Sequence, residues 1–162
     1  MIDVTTLNKD EFIKTLRKED DIIISGGDGT LNRLVNLFDF PSMTQKVFLH
    51  KAGNGNDFLR DVNELKDDVI EITDLIKNLP TVTINGVTTK FLNGVGFGVD
   101  GMVCVESDKM KAKGKKDINY TSLAINIVLF KYKRVNAVVN VDGKEYTFKN
   151  VVIGSAMNGK YY

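Results

Sequence analysis

An apolar run that stops at two glycines and is followed at once by a helical apolar stripe leaves a chain few folds to choose from. Ile22-Ile23-Ile24-Ser25 is short and β-branched, as a buried parallel strand is, and Gly26-Gly27-Asp28-Gly29 ends it. Leu31, Leu34, Val35 and Phe38 then fall at i, i+3, i+4 and i+7, one face of a helix that starts just after the turn. The same grammar returns at Val47-Phe48-Leu49-His50, which runs into Gly53-Asn54-Gly55-Asn56-Asp57. Two strands that each end in a glycine-rich loop place both loops at the carboxyl edge of a parallel sheet, where open α/β folds bind ligands.

Around this unit the pattern is less dense. Asn8-Lys9-Asp10-Glu11 has the form of a capping box, and Phe12, Ile13 and Leu16 extend it into a short amphipathic helix to about Lys18. Val69, Ile72, Leu75 and Ile76 predict a further helix before Pro80. Past Pro80, Thr81-Val82-Thr83-Ile84 alternates, Asn85-Gly86 and Asp142-Gly143 are hairpin-turn dipeptides, and strand-like runs recur at 88–98, 135–142 and 145–155. Tyr120 to Tyr132 is the exception, a helix-length stretch with Leu123, Ile127 and Phe130 on one face. The expected division is an α/β domain over 1–80 and a mainly antiparallel unit over 81–162.

Composition excludes several classes of chemistry. The 22 basic and 21 acidic residues of this 162-residue chain nearly cancel, so no overall charge points to nucleic acid. One cysteine and one histidine leave no internal disulfide, no zinc-ligand cluster and little basis for Ser-His or Cys-His catalysis. Cys104, in Met102-Val103-Cys104-Val105, reads as a packed thiol, and His50 as a strand-end residue. No stretch approaches the ~20 apolar residues of a membrane span, and the N-terminus lacks a signal-peptide core, so the cytoplasm is the default location.

The chemistry concentrates in the two loops. Gly26, Gly27 and Gly29 let the backbone approach a ligand closely, and the free N–H groups at the start of the following helix suit a phosphate. Thr30 and Asn32 can add side-chain donors. Asp28 is different: a carboxylate beside phosphates needs an intervening Mg²⁺ or water, or else it ties the loop to its own backbone. The bland alternative is a tight strand-to-helix turn held in shape by that aspartate. The sequence is not a Walker loop, for the Gly-Lys-Ser/Thr ending is missing, nor the dinucleotide fingerprint, for the third glycine is absent.

Gly26-Gly27-Asp28-Gly29-Thr30 resembles a signature shared by diacylglycerol kinases, sphingosine and ceramide kinases, NAD kinases and phosphofructokinases. Gly53-Asn54-Gly55-Asn56-Asp57-Phe58-Leu59-Arg60 resembles a block of the diacylglycerol-kinase-like lipid kinases alone. Phe91 to Asp100 and Ala156 to Tyr162 are similar to two later blocks of that family, in the same order. The resemblance implies an N-terminal domain with an open, Rossmann-like parallel sheet, followed by part of an antiparallel β-sandwich. It implies ATP and Mg²⁺ as cofactors, with Gly26, Gly27, Asp28, Gly29, Thr30 and Asn32 around the nucleotide phosphates. Gly53, Asn54, Gly55, Asn56 and Asp57 would lie near the nucleotide. The implied reaction is transfer of the γ-phosphoryl of ATP to a lipid hydroxyl such as that of diacylglycerol, at a membrane surface that the chain would meet peripherally.

Departures qualify what the resemblance carries over. Asn54 stands where the family has threonine, and Arg33 where it often has glutamate; Arg33 is read as facing solvent. The family's opening strand–loop–helix unit is expected to be missing or abbreviated, and its distal acidic region, with the catalytic base, finds no counterpart among these residues, which leaves Asp28 as the catalytic candidate and the metal ligands unassigned. Incomplete sheets expose edges, so a homodimer is expected. Asp57 is open between a nucleotide or metal contact and a helix cap, Asp100 reads as a turn residue, and the lysine-rich run Lys109 to Lys116 as a solvated loop that can also attract anionic membrane. The competing readings are a kinase similar to the NAD kinases and a nucleotide-binding remnant without turnover.

Overall fold

The computed structural model describes residues 2–53, 55–64, 66–115 and 117–161. It is a mixed α/β structure with a parallel strand pair, β-strands 22–26 and 47–51, and several antiparallel ones. The chain forms two compact units, Met1–Gly94 with Met157–Tyr162, and Val95–Ala156.

The first unit opens with helix α1 (Lys9–Thr15), which Asn8 caps by accepting from the N–H groups of Asp10 and Glu11. The helix stops short of Lys18 because Leu16 has turned to extended backbone, ψ 132°. Strand β1 (Ile22–Gly26) pairs in parallel with β2 (Val47–Lys51), so that Ser25 lies opposite His50 and Gly26 opposite Lys51. Helix α2 (Asp28–Leu37) starts one residue beyond β1 and buries Leu31, Leu34 and Val35 in a core with Ile24, Val47 and Leu49. This is the apolar stripe read from the sequence, and it fixes where the helix N-terminus must point. Helix α3 (Asp57–Asn63) follows the second loop and buries Phe58 and Leu59 in the same core.

The helix expected over 69–76 does not form. Val69–Glu71 is strand β3, antiparallel to β2, and the chain then turns, with Ile72 and Ile76 still fully buried. Strand pairing wins because β2 offers a free edge. Ile72 N–H donates to the Val47 carbonyl at 2.8 Å, and Val47 N–H donates to the Thr73 hydroxyl at 2.9 Å, continuing the ladder through a side chain. Strands β4 (Thr81–Ile84) and β5 (Val87–Lys90) make the hairpin that Asn85-Gly86 predicts, both turn residues having positive φ (52° and 80°).

In the second unit, β6 (Gly94–Gly98) leads directly into α4 (Val99–Ala112). That helix was not legible in the sequence. It corrects three readings: Asp100 sits in a helical first turn rather than a loop turn, Lys109 and Lys111 at the start of the lysine run lie on the helix while Lys113 and Lys115 follow it, and Cys104 is exposed on it rather than packed. Partial burial, with the Asp100 and Asp108 carboxylates adding to it, pushes the Cys104 thiol above its ordinary pKa, the opposite of an activated nucleophile. Helix α5 (Tyr120–Asn126) is capped by Asn119 and continues as a wider π turn through Ile127–Lys131, the predicted helix-length stretch, but Phe130 does not share the buried face of Leu123 and Ile127 and is exposed. Strands β7 (Val135–Val141) and β8 (Lys144–Val151) form an antiparallel hairpin across Asp142-Gly143, and β9 (Ile153–Met157) hydrogen-bonds to β6.

Candidate functional site

The two glycine loops leave the carboxyl ends of paired strands, so the sheet register alone brings them side by side. They are in backbone contact. Asp28 N–H donates to the Gly55 carbonyl at 3.1 Å. A Cβ on Gly27 would collide with that same carbonyl oxygen, and one on Gly53 with the Gly27 backbone. Glycine is required at 27 and 53 because two main chains meet there.

Asp28 supplies the second tie. Its carboxylate accepts from the N–H of Asp57 (Oδ2, 2.9 Å) and of Phe58 (Oδ1, 3.0 Å), the first two helical residues of α3. Asn56, at the N-cap position of α3, makes no capping bond, so Asp28 caps this helix from the other loop. Asp57 is thus no cap itself; its carboxylate has no hydrogen bond or ion pair among the described residues. Of the open readings of Asp28, the geometry selects a tie between loops, with both oxygens already accepting backbone hydrogens.

What remains open is the start of α2. Gly27, its N-cap, has no side chain to offer, and no acceptor meets the N–H groups of Gly29 and Thr30 among the described residues. A Cβ on Gly29 would touch nothing within 4 Å, so this glycine faces free space. Free N–H donors, the positive end of a helix dipole and an open approach are what an anion such as a phosphate needs. Nearby, Asn56 Nδ2 donates to the Gly53 carbonyl, which leaves its buried Oδ1 without a donor. A nucleotide hydroxyl or amine, or a metal-bound water, would satisfy it. Thr30 is half-buried against Gly26, whereas Asn32 and Arg33 are exposed on α2. Asn54 lies outside the described residues.

Among the described residues, no three His, Cys, Asp or Glu side chains converge to hold a metal ion by themselves. Mg²⁺ commonly binds through one or two carboxylates with substrate phosphates and water, and the uncommitted Asp57 carboxylate fits that mode. Ser25 Oγ and His50 Nδ1 lie 2.9 Å apart at the strand ends, which keeps His50 the strand-end residue it was read to be. A cleft of about 920 Å³ runs along β1 and the N-terminal segment and reaches Ser25 and Thr30.

Three residue sets missed by loop-centred reading also hold the first unit together. Asn36 on α2 imitates a strand: its Oδ1 accepts from Lys90 N–H at 2.8 Å and its Nδ2 donates to the Lys90 carbonyl at 3.0 Å. Asn158 and Gly159 donate their N–H groups to the Asn93 carbonyl, and Asn158 Nδ2 reaches the Leu92 carbonyl at 2.7 Å. Beside them the Arg60 guanidinium lies over the Tyr161 ring, 4.2 Å from its centroid, and Lys160 pairs with Asp61 at 3.5 Å. The blocks around 53–60, 91–94 and 157–161 thus meet in one unit.

Comparison with known proteins gives the family of the chain. The profile of the family described as "Diacylglycerol kinase catalytic domain" matches residues 3–88, about half of the chain. A protein of Staphylococcus carnosus (strain TM300) named "Putative lipid kinase" is 25% identical over 148 residues, which cover 88% of this chain and 46% of that protein. The chain therefore spans about half the length of the curated relative it matches.

Proposed function

Since this chain belongs to the diacylglycerol kinase catalytic-domain family, we propose that it carries the nucleotide-binding part of an ATP-dependent lipid kinase, with diacylglycerol as the acceptor class. The observation that carries the reading is the pair of interlocked glycine loops, which leave the first turn of α2 free among the described residues. In this reading the N–H groups of Gly29 and Thr30 receive the terminal phosphates of ATP, and the Asn56 amide holds a nucleotide hydroxyl or amine. The loop Gly53–Asp57, including Asn54, borders the nucleotide, and Asn32 extends the donor set along α2.

Asp28 acts here as a positioning residue. By fixing the second loop and α3 against the first loop, it keeps the donors of α2 in place before ATP arrives, the preorganisation that phosphoryl transfer depends on. Asp57 is the side chain available to Mg²⁺, which on binding would neutralise charge between the transferred and leaving phosphates. The reading further takes the first unit as the Rossmann-like domain of such kinases and the second as part of their β-sandwich. The hairpin β7–β8 leaves Val138, Tyr146 and Phe148 exposed, which supports self-association through this sheet.

The test is transfer of label from γ-phosphate-labelled ATP to diacylglycerol dispersed in detergent, run against NAD as competing acceptor. Labelled phosphatidic acid supports the reading. Labelled NADP would overturn it. Nucleotide binding with no transfer to any acceptor would assign the chain a binding role alone.

A further inference from the structure

The second unit presents a helix that is apolar on both sides. Leu123 and Ile127 point inward and are buried, whereas Ile125, Val128 and Leu129, at i, i+3 and i+4 on the opposite face, are exposed. Phe130 beside them is 78% exposed and Leu129 66%, the two most exposed large apolar side chains among the described residues. A helix apolar all round is ordinarily buried or lies in lipid. No helix among the described residues is long and apolar enough to cross a membrane, so lying at an interface is the lipid option left to this one.

Charge surrounds this apolar tip. Between residues 109 and 134 there are eight basic residues and one acidic residue, in a chain whose total is 22 against 21. Helix α4 brings its basic end alongside α5, with Lys111 Nζ 6.0 Å from the centre of the Tyr120 ring. Lys109 and Lys131 both pair with Glu106, at 2.8 and 3.1 Å, but Lys113, Lys115, Lys133 and Arg134 have no acidic partner among the described residues. An exposed apolar tip flanked by unpaired cations matches the two layers of an anionic bilayer surface, acyl chains below and acidic headgroups above.

We infer that α5 and its π turn form a membrane-docking element, which inserts Leu129 and Phe130 into an anionic lipid surface while Lys133, Arg134 and the basic end of α4 meet the headgroups. The choice of a bilayer as occupant rests on the lipid-kinase reading and on charge. A second copy of the chain, related by a two-fold axis, would set the same cationic segment against itself. A nucleic acid would leave the apolar tip uncovered.

The chain has no tryptophan, so Phe130→Trp places one reporter at the tip. Vesicles of phosphatidylcholine with about 30% phosphatidylglycerol should shift its emission to the blue, and lipids brominated in the upper acyl chain should quench it. Pure phosphatidylcholine should give a much smaller shift. Lys133→Glu with Arg134→Glu should weaken binding at least twentyfold, roughly fivefold for each cation removed, and raising salt should do the same. Far-ultraviolet circular dichroism on each variant confirms that it is folded. Absence of a shift with anionic vesicles would overturn the proposal, as would vesicle binding that the charge reversal leaves unchanged. Blue emission without vesicles that grows with protein concentration would assign the face to a second copy and overturn it as well. The readout needs neither ATP nor turnover, so it can fail while phosphoryl transfer succeeds, and the reverse.

Discussion

Replacing Asp28 by alanine should loosen the first unit before it alters any chemistry. The side chain accepts two half-buried backbone N–H groups at 2.9 and 3.0 Å, and both are orphan donors of the first turn of α3. Hydrogen bonds to a charged acceptor contribute about 1.5–3 kcal/mol each, and loss of a helix N-cap costs about 0.5–2 kcal/mol. The two bonds share one carboxylate and are not additive, so Asp28→Ala is expected to cost about 2–3 kcal/mol. At about 2–4 °C per kcal/mol for a chain of this length, the first unit should melt about 5–10 °C lower. Asp28→Asn keeps one acceptor oxygen but turns an NH₂ toward a donor, and should lose about half as much. Urea unfolding followed by circular dichroism measures the cost. Amide hydrogen exchange at Asp57 and Phe58 localises it, because those two protons should exchange faster in both variants. If Asp28→Ala unfolds within about 0.5 kcal/mol of the wild type, or the two amides keep their protection, the capping account is wrong and Asp28 is free to act on a ligand.

The two glycines flanking Asp28 should behave oppositely. Gly27→Ala forces a Cβ into the Gly55 carbonyl and should destabilise by several kcal/mol, whereas Gly29→Ala meets open space and should leave unfolding unchanged or raise stability by up to about 1 kcal/mol; paired urea curves decide. Asn36→Ala removes both bonds to the Lys90 backbone and should cost about 1–2 kcal/mol, with faster exchange of the Lys90 amide. Acid should weaken the fold through carboxyls held below their usual range, Glu71 and Asp20 among them. Bonding to Lys46 and then Thr73 holds Glu71 below its usual range, and bonding to the Arg17 side chain and backbone does the same for Asp20. A depressed folded pKa contributes stability that is present above the unfolded value and is lost as pH falls through the folded one. Melting temperature should therefore fall below about pH 4.5, and Lys46→Ala should shrink that fall.

How much was legible follows from how local each signal is. β1, its loop and α2 were readable because strand, glycines and helical stripe are contiguous and each constrains the next. The hairpins at Asn85-Gly86 and Asp142-Gly143 were readable because a turn with two positive φ values admits few residues. Residues 69–76 misled because Val69, Ile72 and Ile76 fit a helical period, while the free edge of β2, a partner distant in sequence, recruited the first three residues into a strand. Helix α4 was hidden by Gly101 in its first turn and lysines at its end, although Val99, Met102, Val103 and Met110 pack on one side. In the site, the glycines and their position were legible. That Asp28 would cap a helix 29 residues away was not, because a carboxylate's partner is set by tertiary contact.

The most direct test of the two-loop nucleotide site is a calorimetric titration of ATP with Mg²⁺ into the wild type and Gly29→Val. A Cβ at 29 meets nothing within 4 Å, so valine should add bulk at the first turn of α2 at little cost to the fold. The account predicts saturable binding by the wild type and none by a Gly29→Val chain that remains folded. A folded wild type that takes up no heat to millimolar ATP, or a Gly29→Val variant that binds as well as the wild type, would contradict it.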